Sequence, residues 1–128
     1  MKISEIYGLP FISIELEFRG EVLHLERVLL DTGSASTLLN ADTVREVGMV
    51  PEEDDLVDII RGVGGIEYVY TKSLDSITVD GTTLNNFQIE IGNMDYGLEI
   101  DGILGFNFMR QAGVIINANF MELSIDKP

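Results

Sequence analysis

The chain has 128 residues, 45% of them hydrophobic, which is the size and composition of one folded domain and excludes a disordered segment. Its 22 Asp and Glu against 8 Lys and Arg give a net charge of −14, which repels a phosphate backbone or an anionic membrane surface and leaves a polypeptide as the tolerated partner. The absence of cysteine excludes a disulfide scaffold, a thiolate nucleophile and thiolate metal sites.

The start of the chain, Met1-Lys2-Ile3-Ser4-Glu5-Ile6, shows no basic segment followed by an apolar stretch, so no secretory signal is visible. No apolar run approaches membrane-spanning length, and a cytoplasmic location is the expectation. Ile12, Ile14, Leu16 and Phe18 alternate with polar residues and predict a half-buried strand. Arg19-Gly20-Glu21 turns it into a second strand, Val22 to Leu30, that ends at Asp31. His24 lies in this strand with no second histidine or cysteine to share a metal, so its reading is structural and no metal is expected.

The run Val28-Leu29-Leu30 leads straight into Asp31-Thr32-Gly33-Ser34-Ala35-Ser36-Thr37. Apolar residues thus drive a carboxylate towards a buried loop, where it needs hydrogen bonds or a partner charge. Gly33 permits a tight loop with close backbone approach, and Ser34 and Ser36 offer hydroxyl donors to the carboxylate. An Asp-Thr-Gly-Ser turn that only reverses the chain would use the same residues. Leu38-Leu39 then read as a short strand, and Asn40 to Gly48 as one short helix, centred on 42–48. Thr43 and Glu46 have capping-box spacing, and Gly48 is the expected stop. Pro51-Glu52-Glu53-Asp54-Asp55 is expected to be a solvated acidic loop.

Val57 to Ile60 and Ile66 to Tyr70 read as strands flanking a glycine-rich tip, Gly62-Val63-Gly64-Gly65. The Lys-Ser/Thr ending of a phosphate loop is missing. Leu74 to Val79 and Leu84 to Ile91 form a further hairpin across Asp80-Gly81. Ile103-Leu104-Gly105 precede a second helix candidate at 106–111, and Val114 to Ile116 and Met121 to Ile125 predict a closing hairpin.

Three of these stretches, in this order, resemble the motifs of the retropepsin-like (single-domain, retroviral-type) aspartic proteases: Asp31-Thr32-Gly33-Ser34, the Gly62–Gly65 tip, and Ile103-Leu104-Gly105 before a helix. The resemblance implies one domain over residues 1–128 with an all-β, closed barrel-like acid-protease fold, two short helices and a flap hairpin. It implies that Asp31 is the catalytic carboxylate, that Thr32 bridges to an opposing loop, that Gly33 offers its backbone to substrate and that Ser34 supports the outer carboxylate oxygen. Gly62, Val63, Gly64 and Gly65 would cover a bound polypeptide, and Ile103, Leu104 and Gly105 would form the core strand passing behind the catalytic loop. Asp101 matches no catalytic position of the family and is read as a structural or turn residue. No cofactor is implied. The family's chemistry takes two aspartates, whereas this chain has one Asp-Thr-Gly and no internal repeat, so a homodimer with Asp31 from both copies is expected. The competing reading is a non-catalytic peptide-binding or assembly module on the same fold. The intact Asp-Thr-Gly-Ser favours the enzyme, because a binding module has no need of a costly acid there. Aromatic Tyr68 and Tyr70, beside the tip, are expected to serve packing rather than substrate contact.

Overall fold

The alternating segments form the strands expected of them. In the computed structural model, which describes residues 1–62 and 65–126, β1 (Ser4–Ile6), β2 (Leu9–Phe18) and β3 (Glu21–Leu30) run antiparallel in sequence order. For residues 60–62, 65 and 66 the description is of the backbone only. β4 (Leu38–Asn40) is followed by α1 (Ala41–Val44) and a tight 3-10 turn, Arg45–Val47. β5 (Val57–Gly62), β6 (Gly65–Val79) and β7 (Thr82–Gly92) form consecutive hairpins, and β8 (Gly102–Leu104) leads into α2 (Phe106–Ala112). β9 (Val114–Asn117) and β10 (Glu122–Ile125) pair as a separate two-stranded sheet.

The large sheet has the order β1-β2-β3-β8-β4-β7-β6-β5, and β2 also pairs with β6 through Leu16 opposite Ile77. The sheet therefore closes into a ring, β2-β3-β8-β4-β7-β6, with β1 and β5 outside the closure. This is the expected all-β acid-protease fold with two short helices. Inside the ring lie the strands' alternating apolar residues, among them Leu16, Leu25, Leu39, Ile77, Ile89 and Leu104, and Phe108 of α2 belongs to the same core; each is nearly inaccessible. A second, smaller cluster of Phe11, Leu38, Val69, Met94 and Ile100 sits on another face. The β6–β7 hairpin turns on Asp80 and Gly81 with φ of 49° and 77°, the pair of positive values that a two-residue hairpin matched to strand twist demands.

The helix expected over 42–48 starts earlier than its capping-box spacing implied. Asn40, not Thr43, caps it: its side chain accepts a hydrogen bond from the Asp42 N–H at 2.9 Å. Asn40 ends β4 in extended backbone, so the cap is supplied at the strand–helix junction itself. Thr43 instead donates its hydroxyl to Asp101 at 3.1 Å, and Gly48 ends the segment in the left-handed conformation, as expected. The acidic loop is not merely solvated. Lys72, whose side chain is 3% exposed, places its ammonium on Glu52 and on Asp55 Oδ2 (2.8 Å), and Arg19 holds Glu52 from the other side at 2.7 Å. No helix among the described residues is long and apolar enough to cross a membrane.

Candidate active site

Asp31 lies one residue beyond β3, and the strand's alternation explains how it is presented. Val28 and Leu30 point into the ring and are buried, whereas Leu29 belongs to the other face, where it is half-buried beside Ile103 in the paired register of β3 with β8. Asp31 continues that second face. The carboxylate thus emerges at the edge of an apolar shelf that also includes Leu9 and Leu98, and it is half-buried rather than sequestered.

The backbone around it is fixed from below. The Asp31 N–H donates to Leu104 O at 3.1 Å, and the Ser34 N–H donates to Asp31 O at 3.1 Å. Asp31 Oδ1 accepts the Gly33 N–H at 2.9 Å, the arrangement a glycine loop makes possible. Ser34 does not support the carboxylate as expected. Its hydroxyl donates to Ser36 O at 2.8 Å, which takes up its one O–H donor. Thr32 and Gly33 are exposed on the open side of the loop.

The expected crossing behind the loop is realised closely. β8 runs parallel to β3 and antiparallel to β4, so a segment from far along the chain is inserted between the two strands that bracket the Asp31 loop. At Gly105 the approach is so tight that a Cβ would lie 2.0 Å from Ser36 O and 2.9 Å from Ser34 O. The next N–H, of Phe106, donates to Ser34 O at 2.7 Å. Two residues the sequence did not single out complete the clamp. Fully buried Thr37 accepts the Gly105 N–H at 3.1 Å and donates its hydroxyl to Asn107 Oδ1 at 2.9 Å. Thr37 could have been noticed as a hydroxyl running into buried Leu38-Leu39, where an unmet polar group is expensive. Its partner on α2 had no local signal.

Asp101 is structural, as read. Its carboxylate accepts the Arg27 N–H at 3.0 Å and the Thr43 hydroxyl, and its backbone bonds Arg27 and Asn40. His24 stands opposite Glu15 across β2–β3 at 3.1 Å on the surface, and no group of metal-ligating residues exists among those described. The hairpin carrying the expected flap has β5 paired with β6 from Val57↔Tyr70 to Gly62↔Gly65, while Val63 and Gly64 lie outside the described residues. Tyr68 is 68% exposed, so its packing role is not met in one chain, whereas Tyr70 packs against the ring core.

A groove of about 590 Å³ is lined by Ser36 and Asn107 on one side and by Val57 and Asp58 at the hairpin base on the other. A larger cavity of about 740 Å³ is lined by Arg27, Asp42, Thr43 and Asp101 among others. Asp31 lines neither, so volume does not locate the carboxylate.

Among curated proteins none matches the sequence. A model of the family described as aspartyl protease matches residues 14–108, a span that runs from β2 through the Asp31 loop and the β5–β6 hairpin into α2. The chain belongs to the aspartyl protease family, of the retropepsin-like type.

Proposed function

We propose that the protein is an aspartic endopeptidase that works as a homodimer, with Asp31 of each copy forming the catalytic pair. The observation that carries this reading is the presentation of Asp31: one oxygen is held by the Gly33 amide, the backbone is pinned to β8, and the loop's Thr32–Gly33 side is left open. One carboxylate cannot be both the base that activates water and the acid that protonates the carbonyl oxygen. A second copy related by a two-fold axis supplies the other. Two carboxylates about 4 Å apart repel by roughly 4 kcal/mol at an effective dielectric near 20, so the pair keeps one proton at moderate pH. This shared proton is the known behaviour of aspartic proteases and is taken over here from them. The ionised Asp31 takes a proton from water as the water oxygen attacks the peptide carbonyl. The protonated Asp31 of the other copy donates to the carbonyl oxygen; the tetrahedral species then collapses as the first Asp31 passes the proton it took from water to the leaving nitrogen and the other takes back a hydroxyl proton, giving the amine and the carboxylic acid.

In this reading Gly33 presents its backbone to the peptide, Thr32 meets its counterpart across the two-fold axis, and the β5–β6 hairpin closes over the substrate as a flap through Gly62–Gly65. The half-buried Leu29 and Ile103 favour apolar side chains next to the scissile bond. The test is cleavage of an unfolded protein by the wild type and by Asp31→Asn. The amide keeps the shape and one acceptor but cannot take the proton, so cleavage should fall by at least about a thousandfold, while thermal stability is unchanged or raised. An Asp31→Asn protein that still cleaves would remove Asp31 from the mechanism.

A further inference from the structure

Among the described residues one buried side-chain atom lacks a hydrogen-bond partner, and it is a carboxylate oxygen: Oε1 of Glu67, shut off from solvent. Glu67 stands in β6 opposite Ile60 of β5, on the hairpin that carries the expected flap. None of the ion pairs among the described residues includes it. A carboxylate oxygen in that condition is costly to keep unless a donor from outside the chain fills it.

Its placement follows from strand alternation. Glu67 and Val69 share one face of β6. Val69 is 1% exposed and packs with Leu38 and Met94 in the cluster that Leu29 and Ile103 border, and Asp31 continues the face of Leu29. Glu67 therefore lies on the face that presents Asp31, one side-chain step or about 7 Å along the strand beyond Val69. Gly92 makes the room. A Cβ there would stand 3.0 Å from Val69 Cγ1 and 3.1 Å from Glu67 Oε1, so bare backbone lets the carboxylate lie against β7. Tyr96 fixes the other oxygen, donating its hydroxyl to Oε2 at 3.2 Å. Partial burial, and then the Glu67 charge, hold the Tyr96 phenol above its ordinary range, so it stays a donor. Tyr96 belongs to the loop over residues 93–101, which carries Asp95, Glu99 and Asp101 and no lysine or arginine, so that loop supplies no cation to Glu67.

The geometry points to Glu67 as a specificity determinant that takes the ammonium or guanidinium group of a lysine or arginine in the bound polypeptide. The inference rests on the endopeptidase reading above and names the substrate class for it: an apolar residue at the scissile bond and a basic one a short way along the chain. Such a contact is a charge-assisted hydrogen bond, about twice as strong as a neutral one, and it fills the empty acceptor. Tyr96, 48% exposed, is the outer wall that the incoming side chain turns aside. The net charge of −14 draws basic polypeptides to the whole molecule, whereas Glu67 sets where their charge must fall.

The test uses short fluorescent peptide pools that share a central Leu-Phe. Flanking positions carry lysine or arginine in one pool, methionine or glutamine in a second, and glutamate in a third. The wild type should cleave the basic pool with a kcat/KM at least about tenfold above the neutral one. Glu67→Gln keeps the shape and should abolish most of that ratio, Glu67→Asp should retain part of it, and Glu67→Arg should turn the preference towards the glutamate pool. Glu21→Gln, which removes an equal charge at the exposed start of β3, should leave the ratio as it was. A residue that only holds the hairpin to the 93–101 loop would change all pools alike. Cleavage without preference for the basic pool, or a preference that Glu67→Gln leaves intact, overturns the proposal while the endopeptidase stands. A protein that cuts neither the pools nor an unfolded protein, yet in fluorescence anisotropy binds the basic pool and loses it on Glu67→Gln, supports the site and refutes the endopeptidase. Neither cleavage nor Glu67-dependent binding overturns both.

Discussion

The Asp31 loop and the Pro51–Asp55 loop are both irregular segments fastened to the same ring, yet different forces hold them. The Asp31 loop is fixed by neutral hydrogen bonds and by backbone contact: Asp31 on Leu104, Phe106 on Ser34, Gly105 on Thr37, Thr37 on Asn107. The acidic loop hangs on ions, with Lys72 between Glu52 and Asp55 and with Arg19 on Glu52. Burial alone would lower the Lys72 pKa, but its hydrogen bonds to Asp55 and Glu52 outweigh that and hold the ammonium above its ordinary range. Glu52, hydrogen-bonded first by Arg19 and then by Lys72, is lowered to about 2. The difference is instructive. The bonds that tie the Asp31 loop to β8 and α2 are made by backbone groups and neutral side chains, which do not titrate; the Asp31 carboxylate bonds only within its own loop, to the Gly33 amide. The loop that leads into the β5–β6 hairpin is tied down by charged side chains instead.

The sharpest way to break the rigid side is Gly105→Ala. The new methyl would meet Ser36 O at 2.0 Å, and both partners are backbone, so β8 or the Asp31 loop must move. We expect a loss of more than about 3 kcal/mol, read as denaturant midpoint, together with loss of any Asp31-dependent cleavage. A benign Gly105→Ala would mean that the crossing is not tight. Thr37→Val comes next. It keeps the volume but strands the buried Gly105 N–H, at about 1–3 kcal/mol. Because the defect sits beneath Asp31, kcat should fall more than KM rises. Lys72→Met addresses the ionic side. Asp55 and Glu52 retain access to water after the cation is removed, so about 1–2 kcal/mol is expected, below the usual cost of breaking a fully buried pair. Its effect should appear as faster amide exchange in residues 52–56, with the Asp31 loop unchanged.

The smallest effect is a pH response confined to one of the two loops. A carboxylate whose folded pKa is depressed contributes stability that is complete above its unfolded value, near 4.5 for Glu52, and is lost as pH falls towards 2. A lysine whose folded pKa is raised contributes below its unfolded value and loses that contribution as pH rises through the folded one, so Lys72 should release the loop only in strong alkali. Amide exchange followed from about pH 5 to pH 2 should therefore show the 52–56 amides loosening well before those of Ser34, Gly105 and Phe106, whose acceptors are carbonyls and a hydroxyl. Equal loosening of both loops would erase the distinction.

Much of the architecture was legible because it is written at short range. Period-two alternation in β2 and β7, the Asp80-Gly81 turn and the apolar-Gly-helix order after Gly102 are each local patterns, and each appears where expected. The errors are also local in origin. Capping-box spacing pointed to Thr43 because a spacing rule cannot see that Asn40 already ends a strand and offers its side chain. The resemblance gives Ser34 to the carboxylate, whereas its hydroxyl donates to Ser36 O. Pro51–Asp55 looked like solvated charge because the one lysine that organises it lies well downstream, in the middle of β6.

What the amino-acid sequence determined by itself is most of the strands, though not β1, and the loop with its single Asp-Thr-Gly. These depend on side-chain periodicity and on residue chemistry, which need no partner to be recognised. Tertiary structure alone decided which distant groups meet: Gly105 against Ser36, Thr37 against Asn107, Lys72 against Glu52 and Asp55, and residues 1–3 against β10. Each joins groups from different elements of the chain, and which pairs form depends on how the ring closes. Hydrogen bonding and ion pairing act over a few ångströms, so no pattern within one segment can encode a partner that only closure brings near.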